Sequence, residues 1–305
     1  MGTYWAAKWL APPERPPEFW QAIMQGAFDE VVRQMSAWSE SSDLTRFNRA
    51  PAGTWHVLPA EFFTVLQRAL AIARETDGAY DPTVGEFIDL IGFGPSGPEV
   101  EINAASNRTA RARFGWTRLT LDPDNRRAFQ PGGLSVDLSS IAKGFAVDLA
   151  CERLIAAGLD NFLLEVGGEI RGRGCKPDGQ PWWCWVERPP VSPGQKPLPE
   201  TVVALCDCAL ATSGDYRRQR EYRGRRHTHI IDPRTGVNEV GALSSVSVLA
   251  ANCMDADGYA TALFVLGVEA GMAFAEKRGL AALFVWQTPE GLKECWTSAW
   301  AAMLE

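Results

Sequence analysis

Leu134-Ser-Val-Asp-Leu-Ser-Ser-Ile-Ala-Lys-Gly144 reads as a strand, a tight hydroxyl-rich loop and the opening of a helix. Gly144, Val147, Ala150, Cys151 and Leu154 continue at helical spacing on one face, and Gly158 closes the pattern. The glycine spacings of the Walker loop and of the dinucleotide fingerprint are both missing, so neither nucleotide fold is indicated. The loop still offers backbone N–H groups, two serine hydroxyls and the Lys143 ammonium at the positive end of a helix, which suits an anionic ligand such as a pyrophosphate. Alternatively, Ser139 or Ser140 is an ordinary N-cap.

Outward from this segment, the periodicity predicts strands at 3–10, 117–121, 134–138, 162–166, 182–186, 202–210, 246–250 and 281–287. Pro289-Glu-Gly291 turns the last of these into a hairpin with 292–296. Phe28, Val31, Val32 and Met35 mark one amphipathic helix, and Phe62, Val65, Leu66 and Ala69 another. Runs of strands without strict βαβ repeats argue for an α+β fold of mixed, largely antiparallel sheets flanked by helices. Residues 1–305 are expected to form a single domain with a ligand cleft between two halves. Pro12-Pro-Glu-Arg-Pro-Pro17 reads as a linker, and residues 188–199, rich in proline, as a surface loop.

With 305 residues, of which 46% are hydrophobic and 22% charged, the chain can bury a large core. No uninterrupted apolar run reaches the ~18 residues a membrane span needs, so no transmembrane segment is expected. The net charge of -7 argues against nucleic-acid binding, which needs an extended basic footprint. Arg217, Arg218, Arg220, Arg223, Arg225 and Arg226 form a local basic run around a hairpin turned at Gly224; a solvated face is the plain reading. Seven cysteines, with Cys206 and Cys208 one residue apart, fit reduced thiols better than a disulfide framework, although Cys175 and Cys184 flank a hairpin and could pair.

Two further segments carry chemistry. His229-Ile-Ile-Asp-Pro-Arg-Thr-Gly236 sets an imidazole, a carboxylate, a guanidinium and a hydroxyl around an Asp-Pro turn, and His229 is the natural candidate for a general base. Asp232 could orient that imidazole, or it could simply cap backbone amides at the corner. In Met254-Asp-Ala-Asp-Gly-Tyr-Ala-Thr261, Asp257 and Thr261 fall one helical turn apart on a common face. A carboxylate and a hydroxyl are hard oxygen donors suited to Mg²⁺, which keeps waters and substrate phosphate oxygens in its shell. The competing reading makes Asp255 or Asp257 an N-terminal helix carboxylate and nothing more.

Together with Met1–Trp5, Ser42–Asn48, Asp77–Gly85, Gly92–Pro95, Glu165–Gly168 and Thr212–Asp215, these blocks occur in the order seen in the ApbE family of flavin transferases, which the chain resembles almost end to end. The resemblance implies an Mg²⁺ site made by the Asp257 carboxylate, the Thr261 hydroxyl and the Ala142 backbone carbonyl. It implies flavin contacts at Met1, Phe47, Ala79, Tyr80, Asp81, Ser139, Lys143 and Ile231. Phe47 and Tyr80 could stack on a flavin or adenine ring, or could be core residues.

The activity implied is transfer of FMN from FAD, the substrate, onto a Ser or Thr of a target flavoprotein subunit, with release of AMP. His229, Asp257 and Lys143 are the expected catalytic groups. Two alternatives stand beside it: an FAD pyrophosphatase that uses water as nucleophile, and a non-enzymatic flavin carrier. The chain as written suggests a cytoplasmic location, and the periplasmic side of the inner membrane if a leader was removed.

Overall fold

The computed structural model describes residues 2–97, 112–191, 194–216, 219–222, 225–239 and 242–303. The chain divides into two compact units, one built mainly from Asp29–Ala142 with Ile231–Asn238, the other from Gly2–Phe28, Lys143–Ile230 and Glu239–Glu305. The first holds α2 (Asp43–Asn48), α3 (Ala60–Glu75), α4 (Gly85–Leu90) and a three-stranded sheet of order β2-β4-β3 (Thr54–Val57, Arg127–Gln130, Thr120–Asp122). On α3, Phe62, Val65, Leu66 and Ala69 are fully buried, the face predicted from their spacing. Pro59 gives this helix no side-chain cap; the buried Gln34 takes over, its Oε1 accepting the Phe62 N–H at 2.9 Å.

The second unit is organised by a seven-stranded sheet of order β1-β5-β6-β9-β13-β14-β15, antiparallel at every pairing. Its strands are Trp5–Trp9, Phe162–Val166, Glu169–Arg173, Cys208–Gly214, Leu243–Ala250, Ala281–Thr288 and Gly291–Trp296. Val246 and Val248 on one face of β13 and Ser245 and Ser247 on the other are all buried, because the central strands are covered on both sides. One cover is the long helix α6 (Cys253–Arg278), which packs on β9, β13 and β14. A separate hairpin, β7 (Trp182–Trp185) with β8 (Val202–Leu205), adds Trp182, Cys184, Val203 and Leu205 to a core shared with Leu210, Leu283 and Trp300 of the helix α7 (Ser298–Ala301). Truncating a wholly buried residue such as Leu283 to Ala costs about 2–5 kcal/mol.

α+β architecture is therefore observed, with three corrections to the strand expectations. Residues 134–138 form no strand: beyond a single bridge between Val84 and Ser135, their backbone groups bond to the Gln130 and Asn48 side chains and the Pro82 carbonyl. The run 202–210 is two strands, broken where Asp207 takes a left-handed φ of 54°. Trp116–Arg118 is a 3-10 turn, so β3 starts only at Thr120.

The arginine-rich segment pairs as the expected hairpin, β10 (Gln219–Tyr222) with β11 (Arg225–Asp232), in a three-stranded sheet completed by β12 (Val237–Glu239). Gly224, where the turn is expected, lies outside the described residues together with Arg217, Arg218 and Arg223. All seven cysteines are free, Cys175 and Cys184 included.

By length and composition α6 is apolar enough to cross a membrane, although charged residues keep it from being one uninterrupted apolar run. Here it is a core helix: Ala256, Ala260 and Leu263 are inaccessible, and a non-helical Gly267 (φ 79°) interrupts it.

Candidate functional site

In the second unit, three segments converge on one cluster built around two buried carboxylates, Asp257 and Glu169. The helix α5 (Ala142–Ala156) begins beside the first turn of α6, and only a glycine permits that approach: a Cβ on Gly144 would lie 2.3 Å from the Cys253 carbonyl oxygen. The Gly144 N–H, one of the unpaired donors of the α5 N-terminus, instead donates to Asp257 Oδ2 at 3.0 Å. Asp257 is 3% exposed. One turn further along α6, the Thr261 hydroxyl stands 2.9 Å from that of Ser213 on β9.

The end of α6 is capped by other groups. Asn252 accepts the Asp255 N–H at 2.8 Å, and Asp148, reaching over from α5, accepts the N–H groups of Cys253 and Met254 at 2.9 and 2.8 Å. Asp148 is held in turn by Arg171 at 2.5 Å. Capping thus explains Asp255 and Asp148 but leaves Asp257 without a role at its own helix end.

The third segment is the β5–β6 hairpin. Val166 pairs with Glu169, and the two residues between them, Gly167 and Gly168, have φ of 64° and 107°, the positive values a two-residue hairpin turn requires. This turn sets Glu169 at the first position of β6, 2% exposed, where its Oε1 pairs with Lys143 Nζ.

Lys143, Glu169 and Asp257 influence one another. Burial raises the Glu169 carboxyl well above its ordinary range, Lys143 pulls it down, and Asp257 pushes it up. Burial likewise raises Asp257, opposed by Lys143 and by the Gly144 N–H. Burial works to lower Lys143, but Asp257 and Glu169 together outweigh it and the ammonium is raised and stays charged.

As a metal site, the donors suit a hard cation. Asp257 and Thr261 supply a carboxylate and a hydroxyl a turn apart, and the ammonium nearest in charge to Asp257 is bonded to Glu169 instead. Among the described residues no group of three or more His, Cys, Asp and Glu side chains could hold a metal, so any cation here would rest on few protein ligands. That is the habit of Mg²⁺ rather than of zinc.

The other expected site residues are placed differently. Met1 lies outside the described residues. His229 is half-buried on β11. Asp232 receives Arg234 Nε and Nη2 at 2.9 and 3.0 Å and the Arg234 N–H at 2.9 Å, so its carboxylate holds the corner of the turn.

Within the first unit, Phe47 is 2% exposed and meets the His56 ring edge to face at 6.0 Å, as a core residue does. Ala79 and Tyr80 are buried too, and the Tyr80 hydroxyl accepts from Ser140 at 3.1 Å. Asp81 accepts from the Thr83 N–H and hydroxyl and from the Trp116 N–H. Ile231 packs with Phe87 and Ile91. Ser139 is exposed and donates both its hydroxyl and its N–H to Asp137 Oδ1, which makes it part of an Asx turn and not an N-cap.

Sequence reasoning missed Glu169, Asp148 and Ser213. A signal existed for the first, an acidic residue directly after a Gly-Gly hairpin turn; for the other two, nothing short of tertiary structure pairs them with α6.

A model of the ApbE family matches residues 1–284. An FAD:protein FMN transferase of Vibrio cholerae is 38% identical over 306 residues, covering 100% of this chain and 90% of the relative. Another, from Haemophilus influenzae, is 37% identical over 316 residues, with 100% and 90% covered. Among solved structures, the apo flavinyl transferase ApbE of Pseudomonas stutzeri superposes with a TM-score of 0.90 at 34% identity, over 99% of this chain and 94% of that one. The flavin transferase ApbE of Vibrio cholerae also gives a TM-score of 0.90, at 36% identity, over 99% and 96%. Matched over nearly its whole length in sequence and in fold, the chain belongs to the ApbE family.

Proposed function

We propose that this protein is an FAD:protein FMN transferase. The substrate hydroxyl, on a Ser or Thr of a flavoprotein subunit, attacks the FMN-side phosphorus of FAD. The bond from that phosphorus to the bridging oxygen breaks, AMP leaves with that oxygen, and FMN remains joined to the protein by a phosphoester. The observation that carries this reading is the cluster of buried Asp257 and Glu169 with half-buried Thr261 and Lys143, hard oxygens and one ammonium where an anionic diphosphate could be met.

Asp257, Thr261 and the Ala142 carbonyl would hold Mg²⁺, which when bound neutralises charge on the diphosphate and on the leaving phosphate. Lys143 adds a fixed positive charge at the start of α5. Ser213 orients the Thr261 hydroxyl through their 2.9 Å contact. His229 takes the proton of the attacking hydroxyl, since an alcohol that keeps its proton is a poor nucleophile. Flavin contacts fall on Met1, Phe47, Ala79, Tyr80, Asp81, Ser139 and Ile231; where the side chain is already engaged, as at Asp81, the main chain makes the contact.

The test is incubation with FAD, Mg²⁺ and a flavoprotein subunit bearing an acceptor Ser or Thr, read as flavin fluorescence on a denaturing gel. Covalent fluorescence with stoichiometric AMP is expected. AMP and free FMN without labelled protein would make it a pyrophosphatase, and tight FAD binding without AMP a carrier.

A further inference from the structure

Glu169 carries a charge that packing and hydrogen bonding do not explain. It is 2% exposed, one carboxylate oxygen pairs with Lys143, and the other, Oε2, is buried without any hydrogen-bond donor. An unsatisfied buried carboxylate oxygen is destabilising, and a neutral side chain of this size would fill the same space without that penalty. What the charge does is settle where the ammonium goes. Lys143 lies within the field of two buried carboxylates, Glu169 and Asp257. Its Nζ is bonded to Glu169, and Asp257 takes the Gly144 N–H.

We infer that Glu169 is a positioning residue that keeps the Lys143 ammonium off Asp257 and so leaves Asp257 open to a divalent cation. The inference rests on the reading of Asp257 as a metal ligand given under Proposed function. Formal charge works in the same direction. Asp257 and Glu169 contribute one negative charge each and Lys143 one positive, a net of minus one that favours a cation. Without Glu169 the cluster is neutral, and the compact, flexible ammonium has Asp257 as its remaining carboxylate partner in this cluster. The Gly-Gly turn between β5 and β6 fixes where Glu169 begins its strand, so the arrangement is built into the fold.

Binding of Mn²⁺ alone to the full chain, followed by electron paramagnetic resonance of the free ion, tests this without FAD and without turnover. Glu169→Gln should weaken Mn²⁺ binding at least about tenfold, as expected when a buried charge pair is broken from one side. Lys143→Met combined with Glu169→Gln removes the competing ammonium and should restore binding to near the wild-type value. Because that double variant replaces an ion pair, of which only the carboxylate is fully buried, with neutral groups of similar size, it should keep the fold, checked by its thermal midpoint.

Unchanged binding in Glu169→Gln overturns the inference. A double variant that folds and binds as weakly as Glu169→Gln does so too, for Glu169 would then touch the cation itself. Asp257→Ala is the control that separates the two layers. If it binds Mn²⁺ as well as wild type, the metal assignment fails and this inference falls with it; if it loses binding while the double variant does not recover, only the role of Glu169 is refuted.

Discussion

Asp81 and Asp257 are both buried, one in each unit, and burial raises the carboxyl of each. Their partners separate them. Asp81 is filled by local donors, the Thr83 N–H at 2.8 Å, the Thr83 hydroxyl at 2.7 Å and the Trp116 N–H at 2.9 Å, which pin the turn after α3 to the start of the 3-10 turn. Asp257 is bonded to one backbone N–H, from a different helix, and shares its surroundings with an ammonium held elsewhere. The number and origin of the donors, more than burial, distinguish a carboxylate that shapes the chain from one that, under the proposed function, receives a ligand.

Asp257→Ala breaks the comparison most sharply. Mg²⁺-dependent AMP release from FAD, followed by chromatography, should drop about 10³-fold or more, the scale of losing the main electrostatic element of a phosphoryl site, while the urea midpoint hardly moves. A large stability loss would place Asp257 in the class of Asp81. His229→Ala should slow covalent transfer about 10²-fold and leave the FAD Kd, read by flavin fluorescence, unchanged. Lost FAD binding would make His229 a ligand contact and not a base.

The converse experiment is Asp81→Ala. It strands the Thr83 and Trp116 donors and should lower the unfolding free energy by about 2–3 kcal/mol in urea titration. Gly144→Ala should cost about 1–3 kcal/mol, because its Cβ forces α5 away from the Cys253 carbonyl. A melting curve superimposable on wild type would show that the close approach of the helices is not needed. Ser213→Ala gives the smallest effect, about a 2- to 10-fold rise in the Mg²⁺ concentration for half-maximal activity.

Local pattern made part of this legible. The spacing of Phe62, Val65, Leu66 and Ala69 disclosed α3 because a helix with one buried face writes its period into the sequence. Phe162–Val166 was found at its observed limits for the analogous reason. Residues 134–138 misled because a β-like composition says nothing about whether a ladder partner exists, and here Gln130, Asn48 and Pro82 satisfy the backbone. At 202–210, one residue in left-handed conformation broke an apolar run that looked continuous. In the site, Asp257 and Thr261 were visible as an i,i+4 pair on one helix. Of the two uses open to Asp232, the corner cap is visible in its bonds to Arg234, its near neighbour in the turn. Glu169 and Ser213 reach Lys143 and Thr261 from strands 26 and 48 residues away in sequence, a relation fixed only by the register of the sheet.

Under the proposed function, Asp257 and Thr261 together grip the divalent cation that serves the FAD diphosphate. Crystals grown with FAD and Mn²⁺, measured at the manganese absorption edge, address it directly. An anomalous peak bonded to the Asp257 carboxylate, to the Thr261 hydroxyl and to an oxygen of the diphosphate is expected. A fully bound FAD whose manganese peak lies on other residues, with Asp257 bonded to Lys143, would contradict it.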